Sequence, residues 1–157
     1  MTKVKVLFVC LGNICRSPTA EAVFRKCVQD AGLDSRITID SAGTGGWHVG
    51  KQADARACQA AAQRGYDLSE LRARQVVVDD FKRFDLILAM DHDNLERLQA
   101  LCPSGSCAEL DLFLRRYSLG KGTVPDPYYG GDEGFEHVLG LVEHASMALL
   151  DEIRERL

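Results

Sequence analysis

Residues 4–18 of this chain, VKVLFVCLGNICRSP, leave few folds open. Val4, Val6 and Phe8, with Leu7 and Val9 between them, form the short apolar run of a buried strand. A helical pattern begins at Pro18, a residue suited to a first helical turn. Between strand and helix lies a tight loop in which five residues separate Cys10 from Arg16. A loop of this size can turn its backbone N–H groups inward around one anion. Gly12 and Asn13 are residue types that accept positive φ there. The helix that follows presents its N-terminus to the same anion. Arg16 can hold two oxygens of a tetrahedral oxyanion at once. The same positive surroundings favour Cys10 as a thiolate nucleophile.

The rest of the chain alternates between the two periodicities. Ala20, Val23, Phe24, Cys27, Val28 and Ala31 share one helical face, and Gly32 stops it. Residues 36–40 read as a second strand, running into Ser41-Ala42-Gly43-Thr44. A glycine-rich loop follows and carries the single tryptophan, Trp47. Residues 53–64 read as a helix, 79–81 as a helical turn and 85–90 as a buried strand. Residues 91–101 make a helix ended by Cys102-Pro103, and 109–114 a fourth strand. The loop 118–134 contains Pro125-Asp126-Pro127-Tyr128-Tyr129, and one long helix closes the chain with Phe135, Val138, Leu139, Val142, Ala145, Leu149 and Ile153 inward. Strands alternating with helices imply an α/β fold: a parallel sheet with helices on both faces, in three layers. Ligands of such sheets bind beyond the carboxyl ends of the strands, where Cys10 falls.

At 157 residues one domain, 1–157, is expected, with about two-thirds of the unfolded surface buried. A net charge of −4 argues against non-specific nucleic-acid binding. No run approaches the ~20 apolar residues of a membrane span. Six cysteines with no secretory leader before them suggest a reducing, cytoplasmic setting. Cys27 and Cys58, on apolar helical faces, read as buried thiols. The four histidines show no zinc spacing with the cysteines, so neither a metal nor a cofactor is expected.

The string CLGNICRSP resembles the phosphate loop of the low-molecular-weight protein tyrosine phosphatases, and the resemblance extends over nearly the whole chain. It implies a four-stranded sheet in the order 2-1-3-4. It implies hydrolysis of phosphotyrosine in proteins or peptides, with inorganic phosphate as product and inhibitor. Cys10 would be the nucleophile and Arg16 the phosphate clamp, and the backbone of Leu11, Gly12, Asn13, Ile14 and Cys15 would cradle the oxygens. Asp126 would be the general acid and base; read alone, its segment is an ordinary Asp-Pro turn. Trp47, Tyr128 and Tyr129, in glycine-rich loops, together with Leu11, would wall a crevice for a phenyl ring. The Ser17 hydroxyl can donate to the Cys10 sulfur, or cap a helix. By the same resemblance Asn13 and Ser41 hold the loop in shape, and Arg56 and Asp91 support it. Cys15 would be a resolving thiol able to form a reversible disulfide with oxidised Cys10; a small buried filler is the other reading. The family also implies that the loop tyrosines can be phosphorylated.

One departure stands out. Leu71 occupies the place of a family histidine that helps to fix the loop asparagine, which puts the support of Asn13 in question. Other functions share parts of the pattern. A thioredoxin-coupled arsenate reductase has the same fold and Cys-x5-Arg loop, but needs relay cysteines just after the third main strand, where this chain has Ala89-Met90-Asp91. A phosphorylated-cysteine sugar carrier would leave Arg16 and Asp126 idle. A non-catalytic module binding phosphopeptides or anions would need no acid.

Overall fold

The computed structural model describes residues 3–128 and 132–157. Strands β1 (Val4–Cys10), β2 (Ile37–Gly43), β3 (Leu86–Ala89) and β4 (Glu109–Leu112) form one parallel sheet in the order β2-β1-β3-β4. Helices α1 (Arg16–Asp30), α2 (Ala55–Gln63), α3 (Asp80–Arg83), α4 (His92–Leu101), α5 (Phe113–Arg116) and α6 (Asp132–Arg156) complete the described chain. Successive β1 side chains go to opposite faces, as the pleat requires. Val4, Val6 and Phe8 join the core made with α1, α2, α5 and α6. Leu7 and Val9 join a second core with Phe81, Leu95 and Leu98 of α3 and α4. The α/β expectation and the strand order 2-1-3-4 are therefore met.

The boundaries differ in instructive ways. α1 starts at Arg16, two residues before the proline. Pro18 is thus its third residue, still among the first four whose N–H groups lack an intrahelical partner. β2 runs on to Gly43, paired with Cys10. α2 is shorter than the alanine-rich pattern because Asp54 caps it, accepting from Arg56 N–H at 2.8 Å. β4 ends at Leu112, and Phe113 and Leu114 turn into α5. Leu112 pairs with Ala89, the last residue of β3, so no partner remains for a longer strand. Phe113 packs instead against Phe8, ring centres 5.1 Å apart. Cys27 and Cys58 are half-buried rather than fully enclosed, because each sits at the margin of its helix's apolar face.

Candidate active site

The loop after β1 owes its shape to where its carbonyls go. Those of Cys10 and Leu11 accept from Thr44 and Gly45 N–H at 2.9 Å. Ile14 C=O accepts from Asp54 N–H at 2.8 Å, and Cys15 C=O from Thr19 N–H at 3.3 Å and the Thr19 hydroxyl at 2.7 Å. A trans peptide points its N–H opposite to its C=O. With these carbonyls turned outward, the N–H groups of Leu11, Gly12, Cys15 and Arg16 turn toward the centre of the loop. Gly43 permits the packing, since a Cβ there would lie 2.7 Å from Leu11 O. No spacing rule singled out Gly43; a glycine at a strand end is the only hint.

Asn13 is the keystone, at φ 58° and 3% exposed. Its Oδ1 accepts Arg74 N–H at 3.0 Å, which fixes the orientation of the amide. Nδ2 then gives its two protons to Ser17 Oγ (2.8 Å) and Ser41 Oγ (3.0 Å). The Ser41 hydroxyl donates to Glu21 Oε1 at 2.7 Å, while Arg25 donates to Oε2 at 2.8 Å. Burial pushes the Glu21 carboxyl up, and these two bonds draw it down; the net shift is upward. Ser17 Oγ, already accepting from Asn13, lies 3.0 Å from Cys10 Sγ, to which it can donate when the sulfur is a thiolate, and 3.4 Å from Ala42 O, to which it also donates. Asn13 N–H also donates to that sulfur, at 3.3 Å. Ser17 makes no helix cap; Cys15 holds the N-cap position, without a side-chain bond. Support for Asn13 thus comes from a backbone N–H, and Leu71, in the position of the missing histidine, packs against the core.

The Arg16 side chain is 3% exposed. Nη1 donates to Asp91 Oδ2 (2.6 Å) and Val124 O (3.0 Å), and Nη2 lies 3.6 Å from Asp126 Oδ2. Burial opposes its charge, but Cys10, Asp91 and Asp126 outweigh that and raise its pKa. Asp91 also caps α4, accepting from Asn94 N–H at 2.8 Å. Asp126 uses Oδ1 to accept Tyr128 N–H at 3.0 Å, which turns Oδ2 toward the guanidinium. The segment is pinned at both ends. Val124 N–H donates to Met90 O at 2.7 Å, and Arg56 Nη2 to Tyr128 O at 2.8 Å. The Arg56 guanidinium also lies over the Tyr128 and Phe135 rings.

Cys10, Leu11, Gly12, Ile14, Cys15, Arg16, Trp47, Asp126 and Tyr128 line one cavity of about 390 Å³. Asn13, Ser17 and Ser41 lie beneath it; Arg56 and Asp91 brace its sides. Tyr129 lies outside the described residues. His48 also lines the cavity, its ring 6.3 Å from that of Tyr128. A lone histidine in a loop carries no sequence signal for such a place. Burial, then Asp54 and Cys10, push the Cys15 thiol up, so it is held protonated. Cys102 and Cys107 precede β4, at the N-terminal end of the parallel strands, whereas Cys10 is at the C-terminal end. Among the described residues no group of three or more His, Cys, Asp or Glu could hold a metal ion, and no helix is long and apolar enough to cross a membrane.

Residues 5–157 match the family model for low molecular weight phosphotyrosine protein phosphatase. The chain belongs to that family. A low molecular weight protein-tyrosine-phosphatase of Streptomyces coelicolor is 49% identical over 156 residues, covering 97% of this chain and 94% of its own. The low molecular weight phosphotyrosine protein phosphatase of Schizosaccharomyces pombe is 52% identical over 138 residues, covering 86% and 88%. The crystal structure of a protein tyrosine phosphatase from Entamoeba histolytica superimposes with a TM-score of 0.93 at 43% identity, covering 98% of each chain. This chain is accordingly a phosphatase, a hydrolase whose family acts on phosphotyrosine.

Proposed function

We propose that the chain hydrolyses protein tyrosine phosphate through a cysteinyl-phosphate on Cys10. The carrying observation is a single cavity that holds the Cys10 sulfur, the Arg16 guanidinium and the Asp126 carboxyl between aromatic walls. The Cys10 thiolate attacks phosphorus, and the S–P bond forms as the P–O bond to the phenol breaks. Asp126 gives its proton to the departing oxygen. Arg16 and the inward N–H groups hold the three non-bridging oxygens throughout. Water then attacks the cysteinyl-phosphate. Asp126 takes the water proton, the S–P bond breaks, and inorganic phosphate leaves with the thiolate restored. Ser17 stabilises that thiolate in both steps.

Leu11, Trp47 and Tyr128 form the slot that selects a phenyl phosphate. Phosphoserine is too short to reach Cys10 from its rim. Residues 1–157 act as one cytoplasmic domain without metal or cofactor. The position of Cys102 and Cys107, at the wrong end of the sheet to relay electrons from Cys10, weighs against an arsenate reductase. The experiment is a leaving-group series with wild type, Cys10→Ser and Asp126→Asn. Cys10→Ser should be inactive yet bind vanadate. Asp126→Asn should lose about 10²–10⁴-fold on phenyl phosphates and much less on substrates with very acidic phenols. Turnover by Cys10→Ser, or equal losses along the series, would refute the assigned roles.

A further inference from the structure

Trp47 is 68% exposed, yet it forms part of the wall of the cavity. An indole with so little around it makes a wall only if something holds its rotamer. A glycine lies directly beneath it. A Cβ on Gly45 would lie 1.7 Å from Trp47 Cζ3, 2.3 Å from Cε3 and 2.4 Å from Cη2. All three atoms belong to the six-membered ring, so that ring lies flat on the bare Cα of Gly45. Gly45 N–H donates to Leu11 O at 2.9 Å, and Thr44 N–H to Cys10 O at 2.9 Å. Thr44 O in turn accepts from the Gln75 amide at 3.1 Å. The shelf under the indole is therefore tied by backbone bonds to the residues that carry the nucleophile.

We infer that Gly45 is a positioning residue for substrate selection: its missing side chain seats Trp47 at a fixed distance from Cys10. The selectivity part of this inference rests on the phosphatase reading above; the seating of the indole does not. A held wall costs a substrate less ordering entropy than one it must first immobilise. Gly45 is not among the residues with positive φ, so its backbone is open to alanine and the methyl acts only on the indole. The exposed ring has room to swing away, which makes the substitution mild for the fold.

The test uses the full chain with Gly45→Ala, Trp47→Ala and the double variant. Trp47 is the only tryptophan, so time-resolved fluorescence anisotropy reads its mobility directly. Gly45→Ala should increase the amplitude of the fast component. It should lower kcat/KM on aryl phosphates roughly three- to tenfold, the scale of one aromatic contact. Vanadate inhibition should stay unchanged, because that anion reaches only the loop and Arg16. In the Trp47→Ala background, Gly45→Ala should have no effect. Unchanged anisotropy, or an equal loss in the Trp47→Ala background, would overturn the inference. If Gly45→Ala alone failed to fold, a folded double variant would still locate the collision at the indole, and an unfolded one would overturn it. A wild type inactive on every aryl phosphate would sink the phosphatase reading alone, leaving the anisotropy to decide the seat of Trp47.

Discussion

Asn13 does two separable things, and a series of substitutions pulls them apart. It occupies a left-handed conformation at φ 58°, and its amide makes three buried hydrogen bonds, to Arg74 N–H, Ser17 and Ser41. Asn13→Gly keeps the backbone geometry and loses the bonds. At a net ~1 kcal/mol each, the loss is about 3 kcal/mol. Asn13→Ala loses the same bonds and keeps a Cβ in the left-handed region, a cost of about 1–2 kcal/mol that glycine is spared. Part of that is offset because glycine has more freedom to lose on folding, roughly 0.5–1 kcal/mol. Alanine should therefore be less stable than glycine by about 1 kcal/mol. Asn13→Asp keeps the acceptor for Arg74 N–H but turns an oxygen, in place of two donors, toward Ser17 and Ser41. The Ser17 proton is then drawn away from Cys10. Urea unfolding should rank wild type above Gly and Gly above Ala. Iodoacetamide should alkylate Cys10 of the Asp variant more slowly at pH 7, with turnover falling in parallel. Equal stability of Gly and Ala would show that the left-handed backbone carries no cost. An Asp variant that alkylates and turns over like wild type would show that the Ser17 proton is not directed by Asn13.

Two further outcomes follow from groups with shifted titration. Mild peroxide should inactivate the enzyme by forming a sulfenic acid on Cys10, which Cys15 captures as a disulfide; dithiothreitol should restore activity, and Cys15→Ser should recover poorly. Because burial keeps Cys15 protonated, capture should quicken as pH rises, and mass mapping that finds no such pH dependence would count against it. Glu152, bound by Arg116 and Tyr117, is held down at about 2 against an ordinary 4.5. A depressed carboxylate contributes stability above its unfolded pKa that is lost as pH falls through the folded one. Acid denaturation should thus steepen between about pH 4.5 and 2, and Glu152→Gln should flatten that stretch; identical profiles would remove Glu152 as a source.

The legible parts of the chain were those where one residue type does one job. The apolar runs 4–10 and 85–90 read as buried strands, and Cys10 and Arg16 point to an anion loop by type and spacing, whereas Asp126, alone an ordinary Asp-Pro turn, is singled out only by the resemblance. What escaped the sequence was work done by the backbone or by an absent side chain. Arg74 supports Asn13 through its N–H, which any residue but proline could supply, so the loss of a histidine at Leu71 looked graver than it is. Gly43 and Gly45 matter because other groups occupy the space of their Cβ atoms, and that needs coordinates. β4 was overrun by two residues because the end of its partner strand, which stops it, lies in another segment. The order 2-1-3-4 came from likeness to a family, since alternation alone leaves several orders open.

Arg16 is gripped by the carbonyl of Val124, 108 residues further along the chain. On a ribosome adding about 5–20 residues per second, those two groups are made roughly 5–20 s apart. Cys10, Asn13 and Ser17 are made before Val124, Asp126 and Tyr128. Until Val124 is made, the arginine of a growing chain has Asp91 but not this carbonyl, and the Asp126 proton proposed for the leaving group is not yet present. On the roles proposed above, hydrolysis can start only once Asp126 and its segment have been made.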